Sequence, residues 1–216
     1  MTTVRNRSYQ RRRRGPIVAV ITVLAVITGV TWISVLAGAS GAGGSVTCPP
    51  TAAGPPPGES LSGGALDAVA PAPPRDIKLR VLNAGGQRGQ ANLVAAQFID
   101  LGFGEAAQPD NDPFFPDGDM KCVGQIRFGP AGEGAASTVA LLVPCAELVR
   151  DTRGDDTVDV SVGSAFGDLS PPRDVKDVLE QLGAPPAGST DPDTAGGAPP
   201  APVDPAELDA ARQGSC

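Results

Sequence analysis

The side chains able to do chemistry are few in this chain of 216 residues, which has four cysteines and no histidine. Cys48, Cys122, Cys145 and Cys216 include no C-x-x-C pair, so neither a thioredoxin-type motif nor a zinc site is spelled. Without histidine, general acid–base work falls to carboxylates, as in glycosidases. The candidates are Asp110, Asp112, Asp117 and Asp119, set around Phe114-Phe115 in the segment PDNDPFFPDGDMK. Their spacing misses the D-x-D-x-D-G pattern of a calcium loop. No nucleophile–base arrangement accompanies them. We expect no catalytic residue, no metal and no cofactor, and the acids read as a solvated loop. Phe114 and Phe115 either pin that loop on the core or present a contact surface; the sequence leaves both open.

A second candidate is the turn Asn83-Ala84-Gly85-Gly86-Gln87-Arg88-Gly89, which joins a strand to a helix where a phosphate loop would lie. It lacks the Gly-Lys-Ser/Thr ending of a P-loop and the G-x-G-x-x-G spacing of a dinucleotide site. The plainer reading is a glycine turn that supplies positive φ and close helix–sheet packing. Asn83, Gly85, Gly86 and Arg88 stay as possible ligand or partner contacts, because amides at a helix start beside an arginine suit an anionic polymer. Arg153-Gly154-Asp155 spells an integrin-type tripeptide, and in a chain this rich in Gly and Asp it is assigned no function.

The elements that must position these residues begin with the amino terminus. Residues 1–15 form a basic tail with six arginines and no acid, while the rest of the chain carries 11 basic residues against 24 acidic ones. The basic head and the acidic body argue against nucleic acid as a partner, since phosphate affinity needs clustered Lys and Arg on the folded part. Residues 16–38 (PIVAVITVLAVITGVTWISVLAG) carry no charge and are long enough to cross a bilayer as a helix, with Trp32 near the outer end. The preceding arginines place the amino terminus in the cytoplasm. A cleaved signal peptide is the rival, since Ala37-Gly38-Ala39 has the small-x-small form, but the apolar run exceeds a signal core. The expected location is the cell membrane, single-pass, with lipid as a partner of the helix and the domain in the periplasmic or cell-wall space.

Residues 39–74 read as a Gly/Pro-rich disordered linker, 75–182 as the folded domain and 183–216 as a Pro/Gly-rich tail with a short helix from Asp204. Inside the domain, Ile77 to Leu82, Val123 to Phe128 and Thr157 to Val162 alternate as strands, with a short strand at Gly104 to Gln108. Helical spacing marks 90–103 and Glu133 to Val143, and residues 173–182 add an amphipathic helix on Val175, Val178, Leu179 and Leu182. The expected fold is α/β (α+β), one small β-α-β-β-α-β domain. In that layout the start of the second main strand and the end of the following helix share an edge, so Cys122 is expected to pair with Cys145. Cys48 and Cys216 are then left for each other, with intermolecular bridging or lipidation of Cys48 as rivals.

Val81-Leu82-Asn83-Ala84-Gly85-Gly86 with Gly89 and Ala91, then Leu101-Gly102-Phe103, Ile126-Arg127-Phe128-Gly129-Pro130 and Val158-Asp159-Val160-Ser161-Val162, resemble the LytR C-terminal domain family. The resemblance covers about residues 76–167, with Ala84 and Gln90 departing from the family's usual Gly and Leu. It implies an extracytoplasmic domain linked to cell-envelope integrity and cell-wall assembly. The function expected is non-catalytic, a scaffold or adaptor for envelope-assembly proteins. Direct binding of cell-wall polymer (peptidoglycan or arabinogalactan) is the alternative, and an enzyme acting on lipid-linked glycan a more distant one.

Overall fold

The structure, a computed structural model, describes residues 18–28, 48, 56–184 and 203–214. The chain divides into two compact units, Met1–Ala42 and Gly43–Cys216. In the first, residues 18–28 form helix α1, whose side chains are all exposed. Among the described residues no helix is long and apolar enough to cross a membrane, and much of the expected span 16–38 lies outside them.

The second unit is a mixed α/β domain built on one sheet. The strands are β1 (Glu59–Leu61), β2 (Lys78–Asn83), β3 (Gly104–Glu105), β4 (Asp110–Asn111), β5 (Gly124–Phe128), β6 (Glu147–Arg150) and β7 (Val158–Val162), in the order β1-β6-β5-β7-β2-β3 with β4 also on β2. Pairings β2–β7 and β5–β6 are parallel, while β5–β7 and β1–β6 are antiparallel. The helices are α2 (Gln90–Asp100), α3 (Glu133–Leu142), α4 (Arg173–Gly183) and α5 (Pro205–Arg212). Leu79, Val81, Ile126, Phe128, Val158 and Val160 alternate toward the helices and form the centre of the main core.

Local chemistry sets the ends of these elements. Helix α2 stops where Gly102 takes φ 87, which lets Gly102 and Phe103 donate backbone N–H groups to Ile99 and Phe98 at 2.9 and 3.1 Å. This is a Schellman cap, completed by the edge-on contact of the Phe98 and Phe103 rings, 5.2 Å between centroids. Helix α4 buries Val175, Val178, Leu179 and Leu182, the stripe expected from spacing. Helix α5 opens with Asp204 accepting from the Ala206 N–H at 2.8 Å and Pro205 in the first turn, also as expected.

Two segments depart from the expected layout. The later part of the supposed linker is folded. Its residues 59–61 form edge strand β1, and Leu66 is buried. Ser137 and Thr138 on α3 donate to the Val69 and Ala72 carbonyls at 3.1 and 2.7 Å, and Arg212 of α5 reaches Val69 O at 2.8 Å. Gly and Pro composition marks missing local preference, and here hydrogen bonds from distant helices supply the order instead. The second departure is β6, in what reads as a charged loop; it adds a strand between α3 and β7.

Candidate functional site

Helices cover one sheet face, and the other is polar. Arg80 of β2 pairs in register with Asp159 of β7, and Asp159 with Arg127 of β5. Gln125 of β5 faces Ser161 of β7 on one side and Glu147 of β6 on the other. Directly paired residues point the same way, so these six side chains share one surface. Instead of a second helix layer, a loop of residues 112–122 roofs the centre of this face at Arg127 and Ser161, while Arg80 at its end is 41% exposed.

The centre of this face is Arg127, whose side chain is 1% exposed, against Asp112 at 0%. Arg127 Nη2 lies 2.7 Å from Asp112 Oδ2 and Nη1 3.0 Å from Oδ1. Its Nε and Nη2 also donate to Gln125 Oε1 at 2.9 and 2.7 Å. The Asp112 carboxylate further accepts from the Ser161 hydroxyl and from the Phe114 N–H at 2.8 Å. Gln125 passes the network on, donating at 2.7 Å to Glu147 Oε2, which also accepts from the Cys48 N–H at 3.1 Å. Ser60 Oγ completes it with a 2.6 Å bond to Glu147 Oε1. A buried charge is tolerated when it is paired or fully hydrogen-bonded; Arg127 and Asp112 are paired with each other, and Glu147 is held by three hydrogen bonds.

At the end of the face lies a second cluster. Asp159 accepts from Arg80 at 2.9 and 2.7 Å and from Arg153 at 2.8 Å, and Arg153 also bonds Asp151 at 2.6 Å. Burial pushes the Asp159 pKa up, but hydrogen bonds from Arg80 and Arg153 outweigh it and hold the carboxyl below its ordinary value. The Asp159 hydrogen bond raises Arg80 in turn; Arg153 is raised by Asp151 and Asp159 against the cost of its burial. Arg153 is thus spoken for, and the Arg-Gly-Asp tripeptide presents no free guanidinium.

The structure joins the two regions singled out in the sequence. Asp112 N donates to Asn83 O at 2.9 Å and Met120 N to Ala84 O at 3.0 Å, so the roof loop is laced along the β2–α2 turn. A Cβ on Gly85 would come 2.5 Å from the backbone of Gly163 and Ser164, while Gly86, at φ 75, lies against Gly118 of the roof. Close approach therefore explains these glycines, and the turn is sealed on its inner side. The amides of Asn83 and Gln90 at the base of the turn donate to Gln87 O and Gly163 O, and each leaves a buried oxygen unmatched among the described residues. Arg88 is exposed beside the start of α2. The open question about the two phenylalanines divides. Phe115 is buried in a small cluster with Ala84, Met120, Cys48 and Cys122, whereas Phe114 is partly exposed. Arg127 Cζ lies 4.9 Å from the Phe114 ring centroid and 5.9 Å from that of Phe115.

The expected cysteine pairing is corrected. Cys48 bonds Cys122, with Cα atoms 5.2 Å apart and a sequence separation of 74. Cys145 is disulfide-bonded too, so it is not the partner of Cys122, nor is Cys216 the partner of Cys48; Cys216 lies outside the described residues. The expected pairing was drawn from a layout lacking both β6 and the roof. Cys122 ends the roof and joins its cluster, and Cys145 instead opens the turn into β6. Asp112 is also not the solvated acid expected of it, unlike Asp110, Asp117 and Asp119, which are exposed. The network members Gln125, Arg127, Glu147, Asp159 and Ser161 are not among the expected site residues, although Arg127, Asp159 and Ser161 lie within the segments that carry the family resemblance. Their signal is the polar half of each period-2 strand, which a lone strand presents as if to solvent.

A family model described as LytR cell envelope-related transcriptional attenuator matches residues 76–166. The chain is 38% identical over 183 residues to the cell envelope integrity protein Cei of Mycobacterium tuberculosis, covering 82% of this chain and 83% of that protein. A crystal structure of the soluble domain of a conserved hypothetical secreted protein from Mycobacterium marinum superposes with a TM-score of 0.62 at 39% identity, over 74% of this chain and 99% of that one.

Proposed function

Since the chain belongs to the family of the cell envelope integrity protein Cei, we propose that it is a non-catalytic, membrane-anchored extracytoplasmic protein that supports cell-wall assembly as a scaffold or adaptor. The observation that carries this reading is how the buried acids are used. Asp112, Glu147 and Asp159 each spend their oxygens on structural partners: Asp112 ties the roof to the sheet, and Glu147 and Asp159 brace the sheet face itself. A disulfide linking positions 48 and 122 suits an oxidising compartment. The charge-free segment 16–38 behind an arginine-rich tail suits a single-pass anchor with a cytoplasmic amino terminus.

Deleting the gene in its host should raise envelope permeability and sensitivity to detergents and envelope-directed drugs. The full chain should restore both, and the domain without residues 1–40, kept in the cytoplasm, should not. Alanine at Asp110, Asp117 or Asp119 should rescue normally. Loss of rescue by one of these at normal abundance and fold would sink the non-catalytic reading in favour of catalysis or metal binding. Direct binding of wall polymer is the second reading, favoured by the partly exposed Phe114 among exposed polar side chains.

A further inference from the structure

We propose that the outer surface of the roof loop and the adjoining β2–α2 turn binds a neutral glycan, with Phe114 as the stacking platform. This rests on the wall-polymer reading above and names its site and ligand class.

Phe115, the neighbour of Phe114, is buried at 3% exposure, so the loop is able to bury a phenyl ring, yet Phe114 stays partly open. Its ring is fixed from behind by Arg127, which is itself fully buried and held by Asp112 and Gln125. A ring held in one orientation loses little side-chain freedom when a flat partner stacks on it. Flanking it in the chain, β4 exposes Asp110 and Asn111 and the roof loop exposes Asp117 and Asp119, and the turn that touches the loop at Gly86 and Gly118 exposes Gln87 and Arg88. Of these, the planar amides of Asn111 and Gln87 and the guanidinium of Arg88 present the donors and acceptors that match neighbouring hydroxyls on a sugar ring.

Charge selects among the glycans. The exposed carboxylates of Asp110, Asp117 and Asp119 outnumber the cations of Arg88 and Lys121, on a chain of net charge -7. A polymer with a carboxylate or phosphate on every repeat meets like charge there, and an uncharged polyhydroxyl chain does not.

The test uses the full chain in lipid nanodiscs and isothermal titration with two probes of matched length, a neutral arabinogalactan oligosaccharide and an anionic polygalacturonate. Binding is expected for the neutral probe only. Phe114→Ala should weaken it roughly tenfold or more, while Phe114→Trp keeps it. Hydrogen exchange of β5 in each variant reports whether the fold survives, and the Trp variant carries the test if the Ala variant unfolds. No binding of the neutral probe, tighter binding of the anionic one, or a folded Phe114→Ala protein that binds normally would overturn the proposal. Rescue in cells separates this from the wider reading. If Phe114→Ala fails to rescue while the wild-type protein ignores the neutral probe, the envelope role stands and the glycan inference falls, leaving a protein partner.

Discussion

Replacing Asp112 by alanine should unfold this domain far more readily than replacing any other acid of its loop. The carboxylate is the counter-ion of a guanidinium that is 1% exposed, and it also accepts from Ser161 and the Phe114 N–H. Removing one member of such a buried pair strands the other charge, at a cost of about 3–5 kcal/mol. For a domain of this size that is a fall in melting temperature of roughly 10–20 °C. Asp110→Ala, Asp117→Ala and Asp119→Ala change exposed side chains and should stay within about 0.5 kcal/mol of wild type. The double variant Asp112→Leu/Arg127→Met removes both charges, and a hydrophobic replacement of a buried pair is often neutral or better. It should therefore melt above Asp112→Ala. Denaturant and thermal unfolding followed by circular dichroism measure the five variants beside the wild type. The reasoning fails if Asp112→Ala lies within 0.5 kcal/mol of wild type, or if the double variant is no more stable than Asp112→Ala.

Non-reducing peptide mapping should return a Cys48–Cys122 peptide and, with Cys145 bonded and Gly214 packed against Pro144, a Cys145–Cys216 peptide; a Cys122–Cys145 peptide would refute the geometry. Cys48→Ser/Cys122→Ser opens a loop with a sequence separation of 74, worth about 4.5 kcal/mol by chain entropy, and its unfolding midpoint should drop accordingly. Gly85→Ala should destabilise well beyond Gly89→Ala, because its Cβ meets backbone at 2.5 Å while that of Gly89 meets nothing within 4 Å and bears only the strain of φ 80. The carboxyl of Asp159 is held below its ordinary pKa, so its contribution to stability is full above an unfolded value of about 4 and fades as the pH falls through the folded value. Asp159→Asn should flatten that acid limb in a pH series of unfolding midpoints, and an unchanged limb would remove Asp159 from the account.

Strands β2, β5 and β7 and helices α2, α3 and α4 were legible because each carries its pattern within its own residues. Val175, Val178, Leu179 and Leu182 define a buried stripe whatever lies opposite. Strands β1 and β6 were not, since Glu59–Leu61 and Glu147–Arg150 are too short to show a period and exist through their pairing with each other and with β5. The same holds for the site. Asn83, Gly85 and Gly86 stood out because a glycine turn after a strand is a local signal. Asp112 looks like its neighbours until the fold sets Arg127 beneath it. The alternation of Gln125, Arg127, Asp159 and Ser161 announced a polar face, but whether such a face meets water or a roof is decided by a loop that shows no period. The disulfide failed for the same reason, since its partners are chosen by that roof.

The link between Cys48 and Cys122 also decides where a mechanical load would enter the domain. Tension applied to the chain ahead of Cys48 crosses the disulfide and arrives two residues before β5, which lies between β6 and β7 in the interior of the sheet. Edge strand β1, held by three residue pairs to β6 and the easiest strand to peel away one pair at a time, is bypassed. A pull from the amino-terminal side therefore falls on a strand that is held on both sides, by β6 and by β7.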